Sequence, residues 1–448
     1  MQNVHTEEKM KVVIGLGKTG LSCARYLASR HEKFKVLDTR KNPPGLQQLR
    51  AECPDVELEL GELDPQTLMS AKQLIVSPGV NQKIPAIQSA IVGGVPVTGD
   101  VDIFAKSITA PIVAITGSNA KSTVTTLVGE MAKAEGINVA VAGNIGLPVL
   151  DLLQEAPSSL YVLELSSFQL ETTENLGAEI ATVLNLSQDH MDRYSSFDEY
   201  KQAKLRIFQN CRQAVINDDD VSSQITLPDD VRQWHFTLSE NTASEFSLVS
   251  RDSCQYLAFN QQALMPVSEL KIAGTHNIAN ALAALALGNA AGLSMEKMLA
   301  TLKEFPGLSH RCQWVAEKKG VNWYNDSKGT NVGACIAAVN GLGGKGKIIL
   351  LAGGQGKGAD FSPLKQPLLA YGQLAILFGE DAGLIDEALN GAVMTVTVAS
   401  LEDAVRLADE KANSGDVVLL SPACASFDMF SNYEERGDAF IHCVGELH

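Results

Sequence analysis

The chain has 448 residues, a formal net charge of −16, 45% hydrophobic and 20% charged residues. That length exceeds what one hydrophobic core organises, so two or three domains are expected. The acidic balance argues against a nucleic-acid binder, which needs a basic face, yet permits a local cluster of cations around phosphate.

The opening residues MQNVHTEEKMK contain no apolar signal-like run, and no stretch of about 18 apolar residues follows, so a cytoplasmic protein without a membrane span is expected. The eight cysteines contain no C-x-x-C pair and read as small buried hydrophobes, not as zinc ligands or a disulfide framework.

In chain order, Lys11 to Ile14 reads as a strand, Leu21 to Arg30 as a helix, and Lys35 to Asp38 and Gln73 to Ser77 as further strands. Gly15-Leu-Gly17-Lys-Thr-Gly20 joins the first strand to the helix, and Asp38 ends the next strand, as in a dinucleotide fingerprint. Arg40 beside Asp38 suits a phosphate or a uracil edge better than NAD. A plain tight turn is the bland alternative.

Pro96 to Asp100 closes this unit, and Ala110-Pro111 opens the next. There the apolar run Ile112 to Thr116 breaks into Gly117-Ser118-Asn119-Ala120-Lys121-Ser122-Thr123 and a helix. Backbone N–H groups of such a loop can cradle phosphates, with Lys121 as counter-charge and Ser122 reaching Mg²⁺. Ala120 occupies a position usually held by glycine, so it has either a negative φ or a left-handed conformation costing roughly 1–2 kcal/mol.

Further strands are expected at Asn138 to Ala142, Leu160 to Leu163 and Ile180 to Leu186. The last two run into Glu164-Leu165-Ser166-Ser167 and Gln188-Asp189-His190-Met191-Asp192-Arg193. Parallel sheets gather ligands at their carboxyl edge, so Glu164 and His190 are candidate Mg²⁺ ligands beside Ser122. Taken singly, Glu164 could be a solvated strand end, His190 a structural residue and Lys204 a surface lysine. Residues 218 to 270 read as a polar meander or surface insert, followed by a buried helix near 277 to 293. Asn277 and Asn280 there could cap the helix or bond an adenine.

Phe305-Pro306-Gly307 marks a second boundary and a candidate hinge. Beyond it, strands are expected at Val321 to Tyr324, Lys347 to Ala352, Leu374 to Phe378, Met394 to Ala399 and Asp416 to Leu420. Polar loops bearing His310, Arg311, Asp326, Lys328, Thr330, Lys357 and Ser426 supply cations suited to carboxylates or phosphates. The whole reads as three α/β domains, 1–99, 100–307 and 308–448, each a mostly parallel sheet with flanking helices.

The segments GLGKTGLSC, ITGSNAKSTVTTLVGEMA, GNIGLP, LELSSFQLET, DHMDRY, AKLRIF, HNIANALAALAL, LSHRCQWV, NDSKGTN, GGQGKGADF and SPACASFDMF together resemble the Mur ligase family over nearly the whole chain. The resemblance implies Rossmann-like first and last domains around a P-loop ATPase-like middle domain. It also implies an ATP-dependent ligase that adds D-glutamate to UDP-N-acetylmuramoyl-L-alanine through an acyl phosphate, working as a monomer without nucleic acid. Under it, Lys18, Thr19, Asp38, Thr39, Arg40 and Gly79 hold the UDP part. Gly117 to Thr123, Asn144, Asn277, Asn280, Arg311 and Asp326 contact ATP, its metals or the neighbouring substrate. Ser122, Glu164, His190 and a carbamylated Lys204 hold two Mg²⁺ ions, with Lys121, Glu164, His190 and Lys204 catalytic. Lys328, Thr330, Lys357, Ser426 and Tyr433 take D-glutamate. Ala120, Gln355 and Gly329 depart from the family's commoner pattern.

Rival readings are an NAD-dependent oxidoreductase, a regulatory P-loop module, and a related ligase for another amino acid or a folylpolyglutamate-type enzyme. The oxidoreductase leaves the phosphate loop, Glu164 and the Lys357 loop without a role.

Overall fold

A computed structural model describes residues 9–240, 242–272 and 274–447, so most of the opening segment read for a targeting signal lies outside the described residues. In the first sheet, β1 (Lys11–Ile14), β2 (Phe34–Asp38), β3 (Glu57–Leu60), β4 (Gln73–Val76) and β5 (Val97–Thr98) run parallel in the order β3-β2-β1-β4-β5. Strand β3, Glu-Leu-Glu-Leu, is a mostly exposed edge strand, so no buried apolar run announced it.

The second sheet has nine strands: β6 (Ile112–Thr116), β7 (Val139–Gly143), β8 (Leu160–Glu164), β9 (Ile180–Val183), β10 (Gln213–Asn217), β11 (Arg232–Phe236), β12 (Phe246–Arg251), β13 (Cys254–Phe259) and β14 (Gln262–Pro266). Their order is β14-β13-β12-β11-β10-β9-β6-β8-β7. The polar stretch 218–270 is therefore no surface insert. Strands β11 and β12 continue the sheet in parallel, and only β12–β14 form an antiparallel meander. Trp234, Phe236, Phe246, Leu248 and Leu257 draw it in, because they join one apolar cluster with the helix Thr275–Ala290.

The third sheet orders β15 (Gln313–Lys318), β16 (Val321–Asn325), β17 (Ile348–Gly353), β18 (Gly372–Phe378), β19 (Met394–Thr397) and β20 (Val417–Leu420) as β15-β16-β20-β17-β18-β19, parallel except for β15. Strand β15 escaped the sequence reading because its Gln, Glu and Lys leave it half exposed at the edge. One buried cluster runs from Val13 and Leu27 through Phe104 to Tyr161 and Ile216, joining the first two sheets. The clusters of residues 312–447 stay within the third unit. Among the described residues no helix is long and apolar enough to cross a membrane.

Candidate active site

Strand β6 ends at Thr116, and the helix Lys121–Ala134 begins after a four-residue turn. Ala120 caps that helix at φ 68, ψ −9, which settles its conformation as left-handed, at a cost of roughly 1–2 kcal/mol. The turn is braced from the segment after strand β9: the Asn119 N–H donates to Asn185 Oδ1 at 2.8 Å. The Ser118 hydroxyl donates to the Ser187 carbonyl at 2.9 Å and meets the Tyr200 hydroxyl at 2.9 Å.

Two lysine side chains converge on this turn. Lys121 Nζ donates to the Gly117 and Ser118 carbonyls at 2.8 and 3.0 Å, and Lys204 Nζ donates to the Gly117 carbonyl at 2.9 Å. Lys204 is 2% exposed, so it is no surface lysine. Burial, then the charge of Lys121, push its amine well below the ordinary lysine range; burial also lowers Lys121. Lys121, whose donors rest only on backbone carbonyls, is placed to meet an anion.

Glu164, at the end of β8, is 1% exposed and so is no solvated strand end. Its Oε1 accepts from Asn144 Nδ2 at 2.7 Å, while its Oε2 has no partner among the described residues. His190 has φ 57, and its ring packs edge-on against Phe168 at 4.9 Å. Burial outweighs the neighbouring Asp189 and holds His190 down at about 4, leaving a neutral imidazole. Among the described residues no group of three His, Cys, Asp or Glu could hold a metal ion. An orphaned carboxylate oxygen, an imidazole and the Ser122 hydroxyl nevertheless fit Mg²⁺, which takes few protein ligands and keeps water and phosphate oxygens around it.

The third unit presents its own carboxyl edge. Arg311 Nη2 donates to Ser122 Oγ at 2.6 Å. Asp326 accepts from the Ser421 hydroxyl at 2.7 Å and the Cys312 N–H at 3.1 Å, and burial pushes it up to about 7. Lys328 Nζ lies 3.9 Å from the centre of the Tyr433 ring; burial, then Arg311, lower it to about 8. Lys357 Nζ donates to Asp189 Oδ1 at 2.6 Å. Asn331 reaches both Asn119 Oδ1 and Asp189 Oδ2, at 3.1 and 3.2 Å. Burial opposes charge on Asp189, but Lys357 and His190 prevail and hold it at about 2. Arg436, fully buried, donates to Ser327 and to the Cys424 and Ala425 carbonyls, tying the Lys328 loop to the Ser426 loop.

A cavity of about 600 Å³ lies between the second and third sheets. Ser118 to Thr123, Asn144, Glu164, His190, Lys204, Asn277, Asn280, Arg311, Asp326, Lys328, Thr330 and Lys357 line it. Gly117 stands behind the wall with its carbonyl under both lysines. Ser426 and Tyr433 lie outside the lining, and Tyr433 touches it through Lys328. Asn277 and Asn280 do not cap their helix, since its N-cap is Gly274 without a side-chain bond. Instead Asn280 Nδ2 donates to Asn277 Oδ1 at 2.9 Å. Gln355 pairs with Ala425 in an isolated bridge, and a Cβ on Gly329 would meet Asp326 Oδ2 at 2.5 Å, so a side chain there would displace that carboxylate.

Lys18, Thr19, Asp38, Thr39, Arg40 and Gly79 gather apart from this cavity, at the carboxyl edge of the first sheet. Both Asp38 oxygens are occupied, by the Leu16 N–H at 2.6 Å and by the Arg40 guanidinium and N–H. A carboxylate so engaged is poorly placed for the ribose hydroxyls an NAD site needs. Sequence reading did not single out Asp189, Asn331 or Arg193, although all three sit inside the quoted DHMDRY and NDSKGTN segments.

Fold and site define a three-domain P-loop enzyme in which a phosphate-type loop faces a second set of cations. Family models for the Mur ligase MurD-like N-terminal domain, the Mur ligase middle domain and the Mur ligase glutamate ligase domain match residues 9–99, 115–288 and 310–424. The chain belongs to the Mur ligase family. It is 55% identical over 442 residues to the UDP-N-acetylmuramoylalanine--D-glutamate ligase of Pseudomonas aeruginosa, covering 98% of each chain. The enzyme of that name from Hahella chejuensis is 54% identical over 437 residues, 97% of this chain and 98% of its own. In fold, the chain is similar to MurF from Acinetobacter baumannii (TM-score 0.62, 14% identity, 98% and 92% coverage). It is likewise similar to the UDP-N-acetylmuramate-alanine ligase MurC from Thermotoga maritima (TM-score 0.60, 18% identity, 98% and 99% coverage).

Proposed function

We infer that the protein is an ATP-dependent ligase that joins D-glutamate to UDP-N-acetylmuramoyl-L-alanine in peptidoglycan precursor synthesis. The observation that carries this reading is the cavity where Lys121, Lys204 and Glu164 of one sheet face Arg311, Lys328 and Lys357 of another. Such a cavity suits a triphosphate on one side and an acidic amino acid on the other. The near-full-length identity to the curated D-glutamate ligases supports that choice of substrates.

The domain division 1–99, 100–307 and 308–448 assigns the nucleotide-linked substrate to the first unit, ATP to the second and D-glutamate to the third. A carboxylate is a poor electrophile at neutral pH. Transfer of the γ-phosphoryl group to the terminal carboxylate of the substrate gives an acyl phosphate and ADP. The amine of D-glutamate attacks the acyl carbon, and the tetrahedral adduct collapses to the amide and phosphate. Lys121 offsets the charge gathered on the transferring group, and the braced loop positions it. Lys328, Thr330, Lys357, Ser426 and Tyr433 orient the two carboxylates of D-glutamate. The buried wall of the third unit keeps water from the acyl phosphate.

Glu164, His190 and Ser122 would hold Mg²⁺, with Lys204 as a carbamate beside a second ion; when bound, these ions neutralise phosphate charge. The depressed amine of Lys204 supports the carbamate, because only a neutral amine adds to carbon dioxide. The cavity is complete within one chain, which supports action as a monomer, and the nucleotide-linked substrates support a cytoplasmic setting.

The test is phosphate release from ATP and Mg²⁺ with UDP-N-acetylmuramoyl-L-alanine and, in turn, D-glutamate, L-glutamate, L-alanine and a diamino acid. Release with D-glutamate alone, matched by amide product, is expected. Release with a different amino acid would move the specificity, and silence throughout would remove the ligase reading.

A further inference from the structure

Arg193 belongs to the second unit but donates to two carbonyls of the first. Its Nη1 donates to the Pro78 carbonyl at 2.9 Å, and its Nη2 donates to the Val80 carbonyl at 3.1 Å and to Glu171 Oε2 at 2.9 Å. Its guanidinium lies over the Phe168 ring at 4.1 Å, and its side chain is 11% exposed. Glu171 is fixed in turn by the Tyr194 hydroxyl and by Gln82. The Arg193 N–H closes a turn onto the His190 carbonyl at 2.9 Å. One residue therefore connects the turn carrying His190 to the loop that follows β4.

The consequence follows from peptide geometry. In a trans peptide the C=O and the N–H of the next residue point in opposite directions. Holding the Pro78 and Val80 carbonyls toward Arg193 turns the Gly79 and Asn81 N–H groups away from it. Neither N–H donates to a protein group among the described residues. Gly79 and Asn81 are both exposed, and a Cβ built on Gly79 meets nothing within 4 Å, so the loop surface at Gly79 is open. Two exposed backbone donors facing away from Arg193 at the carboxyl edge of a parallel sheet suit an anion such as a diphosphate.

We propose that Arg193 is a positioning residue for the nucleotide-linked substrate: it splints residues 78–81 so that Gly79 and Asn81 N–H groups meet the diphosphate. It thereby sets that substrate in register with the second unit. This rests on the reading that the first unit takes the UDP part.

The experiment measures binding and kinetics of the full chain carrying Arg193→Lys, Arg193→Ala or Glu171→Gln. A lysine ammonium keeps the charge but cannot span both carbonyls. Expected for R193K is a rise of about tenfold or more in KM for UDP-N-acetylmuramoyl-L-alanine, with KM for ATP and D-glutamate within twofold of wild type. Binding of UDP should weaken in step, whereas binding of uridine, which lacks phosphate, should not change. E171Q retains both carbonyl bonds and should show a smaller rise. Equal rises in all three KM values, or equal weakening of uridine and UDP, would overturn the proposal, because a merely structural loss would move them together. R193K with unchanged KM would overturn it too. If R193A fails to fold, R193K and E171Q decide. Wild-type protein that binds no UDP would remove the underlying reading as well, which the wild-type titration shows separately.

Discussion

Two turns in this molecule share a plan, a parallel strand running into a helix through a tight loop, and differ in what they leave unsatisfied. After β1, the turn Gly15–Gly20 has an anion provided by the end of β2. Asp38 takes the Leu16 N–H, Arg40 neutralises Asp38, and Lys18 stays in solvent. After β6, the turn Gly117–Lys121 has two lysine amines and no carboxylate bonded to either, only the Gly117 and Ser118 carbonyls and the Thr116 hydroxyl. The first turn is built to stay closed, with ligand contact left to its exposed rim. The second leaves Lys121 with no carboxylate bonded to it, as the proposed phosphate site requires. Topology alone does not distinguish a binding loop from a structural one; the location of the counter-charge does.

The largest test of that contrast is Lys121→Ala. It should lower kcat by about a thousandfold or more in the phosphate-release assay, with the melting temperature little changed, since Lys121 donates only to carbonyls of its own turn. Lys204→Ala should cost about a hundredfold or more, and short carboxylic acids should restore part of the rate if a carbamate is the working group. An unchanged rate would remove Lys204 from the site.

The first turn should instead respond in stability. A Cβ at Gly20 would lie 1.8 Å from the Gly15 carbonyl oxygen. Gly20→Ala should therefore destabilise by about 3 kcal/mol or more in urea unfolding. Asp100, buried between the two turns' domains with one oxygen unpartnered, is raised to about 6 by burial. A raised acid favours the fold while protonated. Stability is therefore fully present below the unfolded value near 4 and is lost as pH rises through 6. Asp100→Asn should abolish that slope and gain about 2 kcal/mol at pH 7.5 relative to wild type, read from unfolding at pH 4 and 7.5. Smallest is Ala120→Gly, which relieves the left-handed conformation and should add under about 1 kcal/mol. A larger KM for ATP in that variant would show that the strain serves binding.

The parallel strands and the loops that line the cavity were legible because buried parallel strands are apolar runs that end abruptly in polar residues, as Ile112–Thr116 and Leu160–Glu164 do. Strands β3 and β15 were not, since an exposed edge has no apolar pattern to read. The 218–270 stretch misled by its polarity, because its few aromatics, not its average, decide burial. Glu164 and Lys204 could be singled out, but their burial could not. Asp189 and Arg193 act across domain boundaries, onto Lys357 and the Pro78 carbonyl, and no local spacing encodes such partners.

The continuous apolar cluster from Val13 to Ile216 bears on unfolding as well as on shape. The first two domains share buried side chains, whereas among the described residues no buried cluster of the third crosses residue 308. Heating should therefore melt the first two together as a single cooperative block and the third as a separate transition, the one that ATP and D-glutamate would draw up toward the other.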